Sequence, residues 1–254
     1  MRSILSKNTL MKKRLLLFSL AMLALTGYGQ DTMDVTTDSD WEFVIAPYML
    51  FGNVSGDATV GAQGPLEVDA NFGDIMENLQ FAFMLHGEVN KGKWGLIADY
   101  FYLKLGSDIT TLQDEVIGAE FRQTIVEVLG SYRIKKSWGQ YDLYAGIRTW
   151  SLALDLDIQG EQINAISANQ NWVDPILGAR VFYISPKNIV LGMRGDIGGF
   201  GLGSDFTFNV QPSIGYQFSE LFTLMLQYKY LYSDYKNGTR GTPDYFALNA
   251  ATHG

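Results

Sequence analysis

Cysteine is absent from this 254-residue chain. No disulfide can hold the fold, and thiol chemistry is excluded. Histidine is almost absent, with His86 and His253 as the two in the chain. That leaves little for general-base catalysis or transition-metal ligation. Beyond residue 26 no apolar run approaches the length of a spanning helix. Cations are in deficit, with 19 Lys and Arg against 27 Asp and Glu. This balance disfavours binding to nucleic acid.

The first residues differ from the rest. Arg2, Lys7, Lys12, Lys13 and Arg14 precede an apolar run from Leu15 to about Thr26. Gly27 and Gly29 then flank Tyr28, a small-residue cleavage pattern before Gln30. Residues 1–29 read as a cleaved secretory signal peptide. The run is well short of the roughly 20 apolar residues that a spanning helix needs. Cleavage takes five of the 19 cations and none of the 27 acids, leaving 14 against 27 and a formal charge of −13. Residues 30–40 form an acidic lead.

What the chain has is glycine (27), phenylalanine (15) and tyrosine (14), at a mean hydropathy of +0.01. A neutral mean hides an alternation of period two, which is the signature of strands with one apolar and one polar face. In 80–90, Phe81, Phe83, Leu85 and Val89 alternate with Gln80, His86, Glu88 and Asn90. In 122–134, Val126, Val128 and Tyr132 alternate with Glu127, Ser131 and Arg133. Similar segments start at Trp41, Trp94, Tyr141, Trp172, Ile189, Phe206 and Phe222, with a last one near Asp244. The count is about ten strands of roughly 10–14 residues, enough for tilted crossings of a bilayer. Short turns are expected near 91–93, 135–139, 185–188 and 219–221. Long polar loops are expected near 52–79, 106–120, 156–171, 198–205 and 235–243, with a helical turn or two from Phe72 to Leu79. Alternating short turns and long loops mark outer-membrane barrels. The expected fold is therefore all-β, an antiparallel up-and-down transmembrane β-barrel over residues 41–254.

Aromatics fall in two sets, as at two membrane interfaces. Trp94, Tyr132, Trp138, Tyr141, Tyr183, Phe218 and Phe222 lie toward the short turns. Phe51, Tyr100, Tyr102, Trp150, Trp172, Phe206, Tyr230 and Tyr232 lie toward the loops. Pro47, Pro175 and Pro212 fall inside expected strands, where each removes a ladder donor, so bulges or strand ends are expected there.

Trp172-Val173-Asp174-Pro175 with Gly178 and Arg180, the run Arg194-Gly195-Asp196-Ile197-Gly198-Gly199-Phe200-Gly201-Leu202-Gly203-Ser204-Asp205, and Tyr228-Lys229-Tyr230-Leu231 with Asp234-Tyr235 carry a resemblance. Ala46-Pro47-Tyr48 and Gly92-Lys93-Trp94-Gly95 with Asp99 extend it. On these residues the chain resembles a family of small, largely uncharacterised Gram-negative outer-membrane β-barrel proteins. The resemblance names no activity. It implies a location in the outer membrane, contact with its lipid and lipopolysaccharide, and handling by periplasmic chaperones and the barrel-assembly machinery. It also implies a closing half-strand that ends in an aromatic residue, so the last strand here is expected to be incomplete.

Residues 198–203 (Gly-Gly-Phe-Gly-Leu-Gly) lack the amphipathic helix that a nucleotide-binding glycine loop must open. They read as a hairpin connection with positive φ. The informative set is the charge expected on the inner face: Glu88, Asp99, Glu127, Asp142, Asp174 and Asp196 against Arg133, Arg148, Arg180, Arg194 and Lys229. A narrow barrel has room for little but side chains, and opposite charges there must pair. The expectation is a lumen closed by a charge network, and the alternative is a narrow path for small solutes or ions. A rim enzyme is a third reading, weakened because neither histidine falls near the external rim. No catalytic, cofactor or metal site is expected. The acidic loops (Asp57, Glu67, Asp69, Asp74, Glu77; Asp108, Asp114, Glu115, Glu120; Asp155, Asp157, Glu161) match no calcium loop. They read as a hydrated surface, with Arg122 or Arg240 available to lipid phosphates.

Overall fold

The computed structural model describes residues 41–60, 66–110, 116–159, 164–240, 242 and 245–254. The segments read as a signal peptide (1–29) and an acidic lead (30–40) lie outside the described residues. The described chain is one antiparallel sheet with a single short helix. In chain order its elements are β1 (Trp41–Pro47), β2 (Asn53–Val60), β3 (Leu66–Ala70), α1 (Phe72–Asn78), β4 (Leu79–Lys91), β5 (Trp94–Thr110), β6 (Val116–Lys136), β7 (Gly139–Gln159), β8 (Asn164–Ile184), β9 (Ile189–Gly198), β10 (Phe206–Gln217), β11 (Thr223–Gln227), β12 (Tyr230–Asn237) and β13 (Phe246–His253).

Neighbours in sequence are mostly neighbours in the sheet, whose order is β1-β4-β5-β6-β7-β8-β9-β10-β12-β13-β2-β3. Both ends of this path fall on the first part of the described chain, because β2 follows β1 after five residues. The sheet therefore curls into a barrel-like wall around a common interior. Side chains from β4 and β5 meet those from β12 and β13 in one buried cluster.

Thirteen strand segments replace the ten or so expected, and the prolines explain part of the difference. The β8–β9 ladder ends at Ile176↔Gly198, one residue before Pro175. Pro47 is the last paired residue of β1, and the chain then switches from β4 to β13. Pro212 faces the break between β11 and β12. Ser213 pairs with Gln227 and Val210 with Tyr230 in one unbroken register, and the ladder lapses at residues 228 and 229, where Tyr228 N–H still donates to the Pro212 carbonyl at 3.0 Å but Pro212 has no N–H to return. Counting β1 with β2 and β11 with β12, and leaving β3 aside, the chain makes ten passes.

The short turns are where the sequence puts them, but most long loops are not loops. β5 to β8 reach 17 to 21 residues and pair without a register shift across 106–110, 116–120, 156–159 and 164–171. The 52–79 segment likewise holds β2, β3 and α1, whose N-cap is Asn71. The physical reason is an inversion of wall polarity along the same strands. Toward the short turns, β5 to β7 point Trp94, Leu96, Tyr132, Val128, Leu143 and Ile147 outward and Asp99, Glu127, Asp142 and Arg148 inward. Farther along, Phe101, Leu103, Ile125 and Trp150 are buried inside. Outside, Lys104, Glu120, Arg122 and Asp155 form an ion-pair cluster, with Lys104–Glu120 at 2.8 Å and Arg122–Asp155 at 2.5 Å. An outward row of charge looks like a loop when an apolar outer face is assumed.

Glycine sets how closely the inner wall packs. A Cβ on Gly178 would stand 2.5 Å from Tyr144 Cζ and 2.6 Å from Asp196 Cβ. The Tyr144 ring fills the place of the missing side chain. Gly178→Val should displace that ring and cost about 1–3 kcal/mol by overpacking, read as a lower urea midpoint in detergent micelles; an unchanged midpoint would refute this packing role.

Candidate functional site: the buried charge network

The inward residues form rows across the sheet because the ladders are in register. One row is His86↔Asp99↔Glu127↔Arg148↔Asp174, and the next toward the long hairpins is Met84↔Phe101↔Ile125↔Trp150↔Trp172. A charged layer thus lies directly against an apolar one.

The charged layer has two linked parts. Nearest the short turns, Arg180 of β8 grips Glu88 of β4 with both terminal nitrogens, at 2.5 and 2.7 Å, and donates from Nε to Asp142 at 2.8 Å. Arg133 reaches Asp142 at 3.3 Å, Glu88 at 3.5 Å and Glu42 of β1 at 2.8 Å. Deeper in, Arg148 donates to Glu127 at 2.7 Å and to Asp196 at 2.8 Å. Arg194 donates to the second Glu127 oxygen at 2.6 Å and to the Tyr144 hydroxyl at 3.0 Å. Tyr144 in turn donates to Asp196, which also accepts from Asn209. His86 borders both parts, 2.9 Å from Glu88 and 3.1 Å from Asp99, and Tyr48 donates to Asp99 at 2.7 Å.

Glu88, Glu127, Asp142, Arg148, Arg180 and Asp196 are buried together with Arg133, and Arg194 and Asp99 complete the set. Two residues of the expected network play other parts. Asp174 is fully buried, yet no cation lies within 4 Å of it among the described residues. Register puts it opposite Arg148, but Arg148 turns to Glu127 and Asp196. Asp174 instead accepts from Trp150 Nε1 at 3.0 Å, Trp172 Nε1 at 3.2 Å, and the Ser204 backbone N–H and hydroxyl at 2.6 and 2.9 Å. Lys229 sits at the β11–β12 break and makes no ion pair within 4 Å among the described residues, but its charge still acts on Glu127 of the network from farther off. There its backbone bonds to Gly254 in both directions.

The aromatic assignment needs a related correction. Trp150 and Trp172 belong to the interior, at 5% and 6% exposure, not to an outer girdle. They stack at 5.3 Å, and Trp172 stacks on Tyr235 of β12 at 4.0 Å. Trp172 shares the parity of Asp174, so alternation alone places it inside. Other expected girdle aromatics do face out, including Trp94, Trp138, Phe218, Phe51, Tyr100 and Phe206.

The glycine-rich run is a β9–β10 connection with positive φ at Gly199, Phe200 and Gly201. It carries Ser204 inward onto Asp174, and Gly203 leaves room, since a Cβ there would meet Asp174 Oδ1 at 2.5 Å. Tyr48, Tyr144, Ser204 and Asn209 join the network without having been assigned to it from sequence. Tyr144 and Asn209 share the parity of inward charges, whereas the loop position of Ser204 gives no signal.

The carboxylates of the network are paired, while Arg148 Nη1 and Asn209 Oδ1 are buried without a hydrogen-bond partner. Both ring nitrogens of His86 are bound to carboxylates, and no cluster of three or more potential metal-ligating side chains occurs among the described residues. No protein-family model matches the chain, and no curated protein is significantly similar to it.

A buried charge in direct contact with its partner is costly to orphan, whereas a lysine acting on it from beyond 4 Å contributes less. Arg148→Met should cost about 3–5 kcal/mol by stranding Glu127 and Asp196. Lys229→Met, which removes only a longer-range partner of Glu127, should cost clearly less, about 1 kcal/mol or below. Parallel urea titrations of the two variants test this, and equal losses would contradict the network drawn here.

Proposed function

We propose that this protein is an exported outer-membrane β-barrel of a Gram-negative bacterium, non-enzymatic, with a sealed lumen and a structural or surface-interaction role. The supporting observation is the inversion of wall polarity. Near the short turns, Leu96, Leu143, Leu177, Leu191 and Leu226 face outward at 45–73% exposure, while arginines and carboxylates are buried inside. An apolar surface this continuous, wrapped around a charged interior, suits hydrocarbon and not water. On β5 the apolar outer face runs from Trp94 to Tyr102, roughly 20 Å of height at the usual strand tilt, against an apolar band of about 25 Å in such barrels. Beyond it the outer face turns to ion pairs and the inner face to aromatics, as in a water-soluble barrel.

Two layers support a closed lumen. The Arg180–Glu88 and Arg148–Asp196 pairs tie strands together through the interior, and the Trp150–Trp172–Tyr235 stack lies against them. The long hairpins of β5 to β8 offer partners a surface on the external side, where lipopolysaccharide phosphates could meet Arg122.

Refolded protein in a planar bilayer should insert without steady conductance; regular ion-selective steps would overturn the sealed lumen in favour of a narrow channel. Leu143→Arg should destabilise the vesicle-inserted form by about 2–4 kcal/mol. A monodisperse, folded protein in detergent-free buffer that ignores lipid vesicles would overturn the membrane reading itself.

A further inference from the structure

Five lysines stand at three consecutive short turns. They are Lys91 and Lys93 at the β4–β5 turn, Lys135 and Lys136 at the β6–β7 turn, and Lys187 at the β8–β9 turn, and all five are exposed. Besides the buried network, the carboxylates at this end among the described residues are Glu42 and Glu220. Glu42 is already engaged, with Lys135 at 2.6 Å and Arg133 at 2.8 Å. Lys91, Lys93, Lys136 and Lys187 make no ion pair within 4 Å among the described residues. The rim therefore runs against the charge of the whole chain, which has 27 acidic residues to 19 basic ones. Its lysines rest on an outward aromatic band. Lys93 adjoins Trp94, Lys136 lies two residues before Trp138, and Lys187 four residues after Tyr183. The Lys91 Nζ lies 5.0 Å from the Trp41 ring centroid. Trp41, Trp94, Trp138 and Tyr183 are 41–70% exposed. Exposed leucines begin just beyond them, with Leu96 three residues from Lys93 and Leu191 four from Lys187.

We propose that this rim binds the headgroups of anionic phospholipids, in the leaflet that faces the short turns. The inference rests on the membrane reading above. Along the strands the order is leucine, aromatic ring, ammonium, which is the order of hydrocarbon, interface and phosphate in a lipid leaflet. Three to four residues span about 10–13 Å along a strand, and tilt shortens that height. The headgroup layer is about 5–8 Å deep, so lysine stems can lie along the rings while their ammonium groups meet phosphate. A zwitterionic headgroup carries its own cation beside the phosphate. An anionic one does not, and so leaves its charge for the lysines. A soluble acidic protein would match the lysines but leave the aromatic band beneath them in contact with water.

The test is quenching of the tryptophans by brominated acyl chains, with the chain refolded into vesicles of mixed phosphatidylcholine and phosphatidylglycerol. Each lipid carries the bromine in turn. At low salt phosphatidylglycerol should be enriched at the wall by about fivefold, the effect of roughly one lysine per lipid. At 1 M salt, where the Debye length is about 3 Å, the enrichment should fall toward parity. The triple variant Lys93→Gln, Lys136→Gln, Lys187→Gln should still insert but lose the preference, because these exposed side chains take no part in the buried network. Equal quenching of an inserted chain by both lipids would overturn this proposal alone and leave the rim to an acidic protein partner. A chain that co-floats with neither neutral nor anionic vesicles would overturn it together with the membrane reading. Enrichment undiminished in the triple variant would put the contact elsewhere on the wall. Enrichment seen only after deletion of residues 30–40 would give the rim to the chain's own acidic segment. Either of these last two results would overturn the assignment as well.

Discussion

A narrow tube of β-strands can hold charge inside only when each charge is matched at short range. Burial costs each ion several kcal/mol, and only close opposite charge with further hydrogen bonds offsets that cost. This constraint shapes the interior. Arg148 and Arg180 each bridge two carboxylates, and Glu127 in turn serves two arginines. Because the partners come from different strands, the pairing also fixes which strands face one another. Arg180 and Glu88 are 92 residues apart in sequence, so their bidentate contact joins β8 to β4 through the interior.

The apolar layer beside the network obeys the opposite rule. Where the outer face becomes polar, aromatic and aliphatic side chains take over the interior. Asp174 stands at the boundary, and its indole and hydroxyl donors show how one carboxylate is accommodated without a cation. A charge-assisted bond to a neutral donor is stronger than a neutral pair, and Asp174 receives four such bonds from three residues.

Much of this was legible in alternation alone. Period two identified the faces of β4 to β10, and with them most members of the network. The short turns followed from Lys-Gly-Lys at 91–93 and its counterparts. Three things were not legible. Parity gives the face of a side chain but not its partner, so nothing in it separates Asp174 from Glu127 or Asp196 as the partner of Arg148. The hairpin extensions of β5 to β8 were hidden because Lys104, Glu120, Arg122 and Asp155 put charge where an apolar outer face was assumed. Ser204 reaches the interior through positive-φ turns that no periodicity reports. Pro212 was informative in retrospect, since a missing donor had to leave a break opposite it.

The bond from Asp174 to Ser204 makes the β9–β10 connection a keystone. Most surface turns of a β-protein tolerate foreign sequence, because their backbone bonds only to itself and to water. Residues 199–205 instead supply two donors to a buried carboxylate and bring Ser204 within 3.0 Å of Ser233 on β12. A tag or epitope grafted there would empty part of the interior, whereas the exposed connection at 218–222 could be lengthened with no charge left stranded.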